Sequence, residues 1–137
     1  MVLVGFRGGA AFASGLLLNG PARYPGTALL YETLPFVVGP ATGPGGLTGA
    51  DVFLAHGERD TVIPRDLLDR TWADLHQGSG ASPVARCDPV GHGIVAPALA
   101  ALSDWLADRL GSGPKESPAE SGCRYRRHVE PRPAGGT

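Results

Sequence analysis

Apolar positions along this chain come in short runs and helical stripes that alternate. Met1-Val2-Leu3-Val4 is an apolar run suited to a buried parallel strand. Residues 10–18 are small and apolar enough for a helix packed hard against a sheet. Residues 27–33 read as a second strand that leaves through Leu34-Pro35-Phe36. Residues 39–49, rich in glycine, proline and threonine, read as a flexible loop. Residues 51–60 then read as a buried strand ending in a polar turn, closed by Val62-Ile63-Pro64. Arg65 to His76 places Leu67, Leu68, Trp72 and Leu75 on one helical face. A fourth strand is expected over residues 84–88. A last helix is expected over 96–110, with Leu99, Leu102, Leu106 and Leu110 on one side and Trp105 beside them. From residue 111 the apolar spacing stops, and 111–137 is expected to be a disordered tail. The order strand, helix, strand, loop, strand, helix, strand, helix predicts an α/β domain over residues 1–110, with about four parallel strands and helices on both faces.

Composition narrows the class only a little. A chain of 137 residues suggests one small domain with a modest core. A net charge of -1 gives no reason to expect nucleic acid or an acidic membrane surface as a partner. The basic cluster Arg124-Tyr125-Arg126-Arg127-His128 carries too few charges for much affinity at physiological salt and reads as solvated. The two cysteines, Cys87 and Cys123, are too few for a disulfide framework and lack metal-ligand spacing. No apolar run spans a bilayer, and the start has no basic region followed by a cleavage site, so a cytoplasmic location is the default expectation.

Three motifs carry candidate chemistry. Gly5-Phe6-Arg7-Gly8-Gly9 sits between the first strand and the first helix, the context of a sharp strand-to-helix elbow. Asp60 stands in the polar turn after the third strand, and Pro89-Val90-Gly91-His92-Gly93 sets a histidine between glycines ahead of the last helix. Alone, each is weak: an aspartate after a strand is usually a turn or capping residue, and most histidines are packed or solvated. Together they follow the chain order nucleophile, acid, base. On GFRGGA, AHGERDTVIP and GHG, the chain resembles the C-terminal part of an α/β-hydrolase of the phospholipase/carboxylesterase or dienelactone-hydrolase type, over about residues 1–110. The resemblance implies Asp60 as triad acid, His92 as triad base, Arg7 at the nucleophile position and the Gly8 amide in the oxyanion hole, with neither cofactor nor metal.

Arg7 departs from that pattern. A guanidinium stays protonated and has no lone pair for a carbonyl carbon, and the resemblance covers only the C-terminal part of such a fold, so the expected function is that of a carboxylic-ester hydrolase impaired both at its nucleophile and by a missing N-terminal half. Substitutes are poorly placed. Ser14 lies seven residues along the helix, roughly 10 Å away at 1.5 Å per residue. Cys87 lies on the strand before His92, and Thr61 has no base at hand. Two alternatives stay open: a non-catalytic module holding an anion or a partner through Arg7 at a helix N-terminus, or one half of a split hydrolase. The expected partners are accordingly a small ester or anionic ligand, and either a second copy or a completing chain along the open edge of the elbow strand.

Overall fold

A computed structural model describes residues 1–33 and 45–110. The elements run β1 (Val2–Phe6), α1 (Gly8–Asn19), β2 (Gly26–Leu30), β3 (Asp51–Gly57), α2 (Arg65–Gln77), β4 (Ser82–Asp88) and α3 (Ala96–Leu110). The four strands form one parallel sheet in the order β1-β2-β3-β4. Register brings their carboxyl ends together: Phe6 pairs with Leu30, Leu30 with Ala55, and Gly57 with Asp88. The residues that follow each strand therefore gather along one edge, where open α/β sheets place their ligands.

Strand alternation builds two cores. Val52 and Leu54 of β3 face α1 and α2, among Ala10, Ala13, Leu17, Leu18, Leu75 and Trp72. Phe53 and Ala55 face the other way, toward Leu102 and Trp105 of α3. Each fully buried side chain of this size contributes roughly 2 kcal/mol or more. The α1 helix carries no charged residue, which fits an element meant to be covered over most of its surface. Yet Phe12 on α1 is 70% exposed and Val4 on β1 is 50% exposed, and among the described residues β1 pairs only with β2.

Three expectations need correction. The strand expected over 27–33 ends at Leu30, because Tyr31 adopts φ 58, which breaks the extended backbone. On α3 the buried stripe is Ala98, Leu102 and Trp105, whereas Leu99 is 49% exposed. The leucine spacing suits a helix equally well, but the sheet takes the stripe that carries the largest ring. The end of the loop expected over 39–49 is packed: Leu47 is buried, and the Gly45 and Leu47 amides each donate to the turn after α2, at Gly78 and Ser79 (both 2.7 Å). The remainder of that loop, the strand exit at residues 34–36 and the tail from 111, with Cys123 and the basic cluster, lie outside the described residues. Among the described residues no helix is long and apolar enough to cross a membrane.

Two glycines permit close approaches that the architecture needs. A Cβ at Gly5 would run into the backbone of Gly9 and Ala10, so β1 and α1 meet at van der Waals limits only because Gly5 has none. A Cβ at Gly57 would collide with the carbonyl oxygens of Val90 and Gly91, which cross the end of β3 just before His92. Gly57→Ala is therefore expected to cost about 2 kcal/mol or more in urea denaturation, through overpacking. Gly15→Ala, mid-helix with open space at the Cβ, is expected to gain about 0.5–1 kcal/mol. Equal effects at the two sites would contradict this account.

Candidate active site

The elbow forms where β1 runs into α1. Arg7 caps the helix with φ 52 and ψ -124, a region that a non-glycine residue enters at a cost of about 1–3 kcal/mol. Its N–H donates to the Leu30 carbonyl (3.0 Å), tying the turn to β2, and its carbonyl accepts from the Ala10 and Ala11 amides (2.8 and 3.1 Å), which starts the helix. Gly8 and Gly9 occupy the first turn, where helical geometry leaves N–H groups without intrahelical acceptors. The Arg7 guanidinium lies 5.0 Å from the Phe6 ring centroid, and its Nη2 donates to the His92 carbonyl oxygen at 2.9 Å.

Asp60 is presented by the turn after β3 and its side chain is 0% exposed. Oδ1 accepts from the Val62 and Ile63 amides (2.8 and 3.1 Å), which is why the Val62-Ile63-Pro64 segment folds back over it. Oδ2 stands 2.7 Å from His92 Nδ1. Burial alone would raise the carboxyl's pKa; the hydrogen bonds from His92 and then from the Ile63 and Val62 amides outweigh it and hold the group below its ordinary value. An ionised carboxylate only accepts, so His92 Nδ1 carries the hydrogen and, in the neutral ring, Nε2 is left with the lone pair. His92 itself sits in the connection from β4 to α3, 17% exposed. That connection is held over the β3 turn by Arg59 N–H to Val90 O (3.0 Å) and Glu58 N–H to Asp88 O (2.8 Å).

The structure thus brings Arg7, Asp60 and His92 together at the carboxyl edge of the sheet, with Gly8 beside them at the start of α1. The other nucleophile candidates are engaged elsewhere. Ser14 is buried and donates within its own helix to the Ala11 carbonyl (2.8 Å). Cys87 is buried inside β4, in register with His56, and Thr61 is exposed in the β3 turn. A depression at the start of α2 is lined by Gly57, Glu58, Asp60, Ile63, Arg65 and Asp66, among others, and includes neither Arg7 nor His92.

Solved structures place this arrangement in context. Similar chains include a carboxylesterase from Bacillus cereus (TM-score 0.68, 20% identity, covering 79% of this chain and 49% of that one). A carboxylesterase from Mesorhizobium loti matches with TM-score 0.65 and 30% identity, covering 76% of this chain and 47% of that one. A protein of unknown function from Agrobacterium tumefaciens matches with TM-score 0.64 and 24% identity, over 78% and 51%. Four parallel strands with helices on both faces make this part of an α/β-hydrolase fold. This chain spans about half the length of the structures it matches. No protein-family model matches the sequence, and no curated protein does.

Within this α/β-hydrolase arrangement, sequence reasoning missed several neighbours. Tyr31 meets the His92 ring edge-on (6.2 Å, 83°) and the Phe6 ring likewise (6.0 Å, 79°). Asp88, buried at the end of β4, takes two hydrogen bonds from Arg86 (2.9 and 3.1 Å). His56 is buried in β3, and burial first, then the positive charge of Arg65, lowers its pKa from 6.5 to about 4. Only the pairing of Arg86 with Asp88 two residues on had a sequence signal, since i, i+2 residues share a strand face.

The His56 shift has a defined sign. The unfolded chain binds a proton at this residue below about 6.5 and the folded chain does so only near 4, so stability falls as pH drops through that window. Between about pH 7 and pH 5 the loss is expected to be on the order of 2 kcal/mol from this residue. Asp60, whose pKa is lowered on folding, adds a further loss at still lower pH, as its carboxylate protonates. Urea midpoints across that range check this; a midpoint that does not fall between pH 7 and pH 5 would contradict it.

Proposed function

We propose that this chain is the triad-bearing part of a carboxylic-ester hydrolase of the phospholipase/carboxylesterase type, impaired at its nucleophile. The observation that carries the reading is His92 Nδ1 bonded at 2.7 Å to Asp60, whose side chain is fully covered, while the His92 carbonyl accepts from Arg7 of an elbow whose backbone is held at φ 52 and ψ -124. In this chemistry a hydroxyl at the elbow attacks the ester carbonyl, the imidazole takes its proton at Nε2, and the carboxylate steadies the imidazolium. The first amide of the following helix, here that of Gly8, stabilises the developing oxyanion. Asp60 and His92 retain their parts. Arg7 has no nucleophilic lone pair, and loss of the nucleophile in such a triad costs on the order of 10⁶ in turnover. Which acyl chain or head group such a site takes depends on loops rather than on the fold.

The anion-binding alternative rests on the same guanidinium, but its bond to the His92 carbonyl favours a structural use of Arg7. A half-enzyme reading is favoured by a different observation: Val4 on β1 and Phe12 on the uncharged α1 are exposed, and among the described residues the outer edge of β1 has no strand partner. Residues 1–110 would then be a sheet half that another chain or a second copy extends.

Two measurements test these readings. With p-nitrophenyl acetate, the parent chain is expected to match the buffer rate, and Arg7→Ser to exceed it at least tenfold in a manner abolished by His92→Ala. Activity of the parent that is lost in His92→Ala would overturn the impaired-nucleophile reading. In sedimentation, the parent is expected to self-associate with rising concentration and Val4→Lys/Phe12→Glu to do so less. A strictly monomeric parent with a sharp, concentration-independent melting transition would contradict the half-sheet reading.

A further inference from the structure

Tyr31 combines two features that packing alone disfavours. Its φ of 58 is costly for a bulky side chain, and its hydroxyl is buried with no hydrogen-bond partner among the described residues. The positive φ has a visible consequence. In β2, Ala28 and Leu30 face α3 while Leu29 faces α1, so continued alternation would send residue 31 to the side of Leu29. Instead Leu30 and Tyr31 both lie in the core beneath α3. The turned backbone brings the ring under the connection that carries His92, with centroids 6.2 Å apart and planes at 83°. The other edge-on contact of Tyr31 is with Phe6 (6.0 Å), Phe6 lies under the Arg7 guanidinium (5.0 Å), and Arg7 donates to the His92 carbonyl (2.9 Å). Arg7, Phe6, Tyr31 and His92 form a closed circuit of contacts between the elbow and the histidine.

We propose that Tyr31 is a positioning residue whose ring fixes the plane of the His92 imidazole so that Nδ1 stays on Asp60. An edge-on aromatic pair restricts ring rotation without competing for either ring nitrogen, which leaves Nδ1 to Asp60 and Nε2 to proton chemistry. The meaning of this for catalysis rests on the reading of His92 as a triad base, but the geometry it predicts does not.

The test is the low-field proton resonance of the His92 Nδ1–H bonded to Asp60, assigned by its loss in Asp60→Asn. It is expected in the parent and in Tyr31→Phe, which keeps the ring. It is expected to be lost or exchange-broadened in Tyr31→Asn, which tolerates a positive φ but has no ring. A folded Tyr31→Asn that keeps the resonance unchanged would overturn the proposal, as would its loss in Tyr31→Phe. If circular dichroism shows Tyr31→Asn unfolded, Tyr31→Leu takes its place under the same criteria. If both are unfolded, nuclear Overhauser contacts in the parent decide: contacts from the Tyr31 ring to one edge of the His92 ring are expected, and their absence refutes the proposal. The readout needs no turnover. An inactive Arg7→Ser with a resonance that tracks the Tyr31 ring would sink the hydrolase reading and leave the positioning role standing.

Discussion

Asp60 accepts three hydrogen bonds in full burial, and the arrangement of the sheet's carboxyl edge follows from that. A buried carboxylate is tolerated only when its lone pairs are filled by well-placed donors. Two of those donors are the amides of its own turn, which fixes where the carboxylate points. The third is His92, which must be delivered from the far side of β3 by the connection after β4. That delivery requires Val90 and Gly91 to cross the strand end at contact distance, so the absence of a side chain at Gly57 is part of the same constraint. The Asp60–His92 pair and the strand register are one packing solution.

The elbow is a second, independent constraint. Gly5 lets α1 press against β1, and the backbone of Arg7 takes up the strain of the sharp turn between them. A side chain at such a position is pushed out over the sheet edge. In this chain the group placed there is a cation, and it finds an aromatic face at Phe6 and a carbonyl at His92. A guanidinium so engaged ties the elbow to the connection that carries His92.

Much of this was legible in the sequence. The limits of α3, the parallel α/β plan and the gathering of Arg7, Asp60 and His92 came from apolar periodicity and glycine-flanked motifs, because those signals are local or ordered along the chain. What was not legible depends on contacts between elements. The stripe of α3 that meets the sheet is chosen by where Trp105 fits, and the leucine spacing carries no word of that. Tyr31 reads as one more strand residue until the backbone is seen to turn over. The importance of Gly57 appears only when Val90 and Gly91 are found against it.

We propose that Arg7 stands where the attacking hydroxyl of a triad would be, with Asp60 and His92 in the places of its acid and base. The most direct test of this is covalent: a fluorophosphonate ester, which phosphonylates an activated hydroxyl without needing a fitted acyl pocket, followed by intact-mass analysis. The account predicts no modification of the parent chain, and in Arg7→Ser a single adduct mapped to position 7 that disappears when His92 is also replaced by alanine. A folded Arg7→Ser that stays unmodified, or a parent chain modified in a His92-dependent manner, would contradict it.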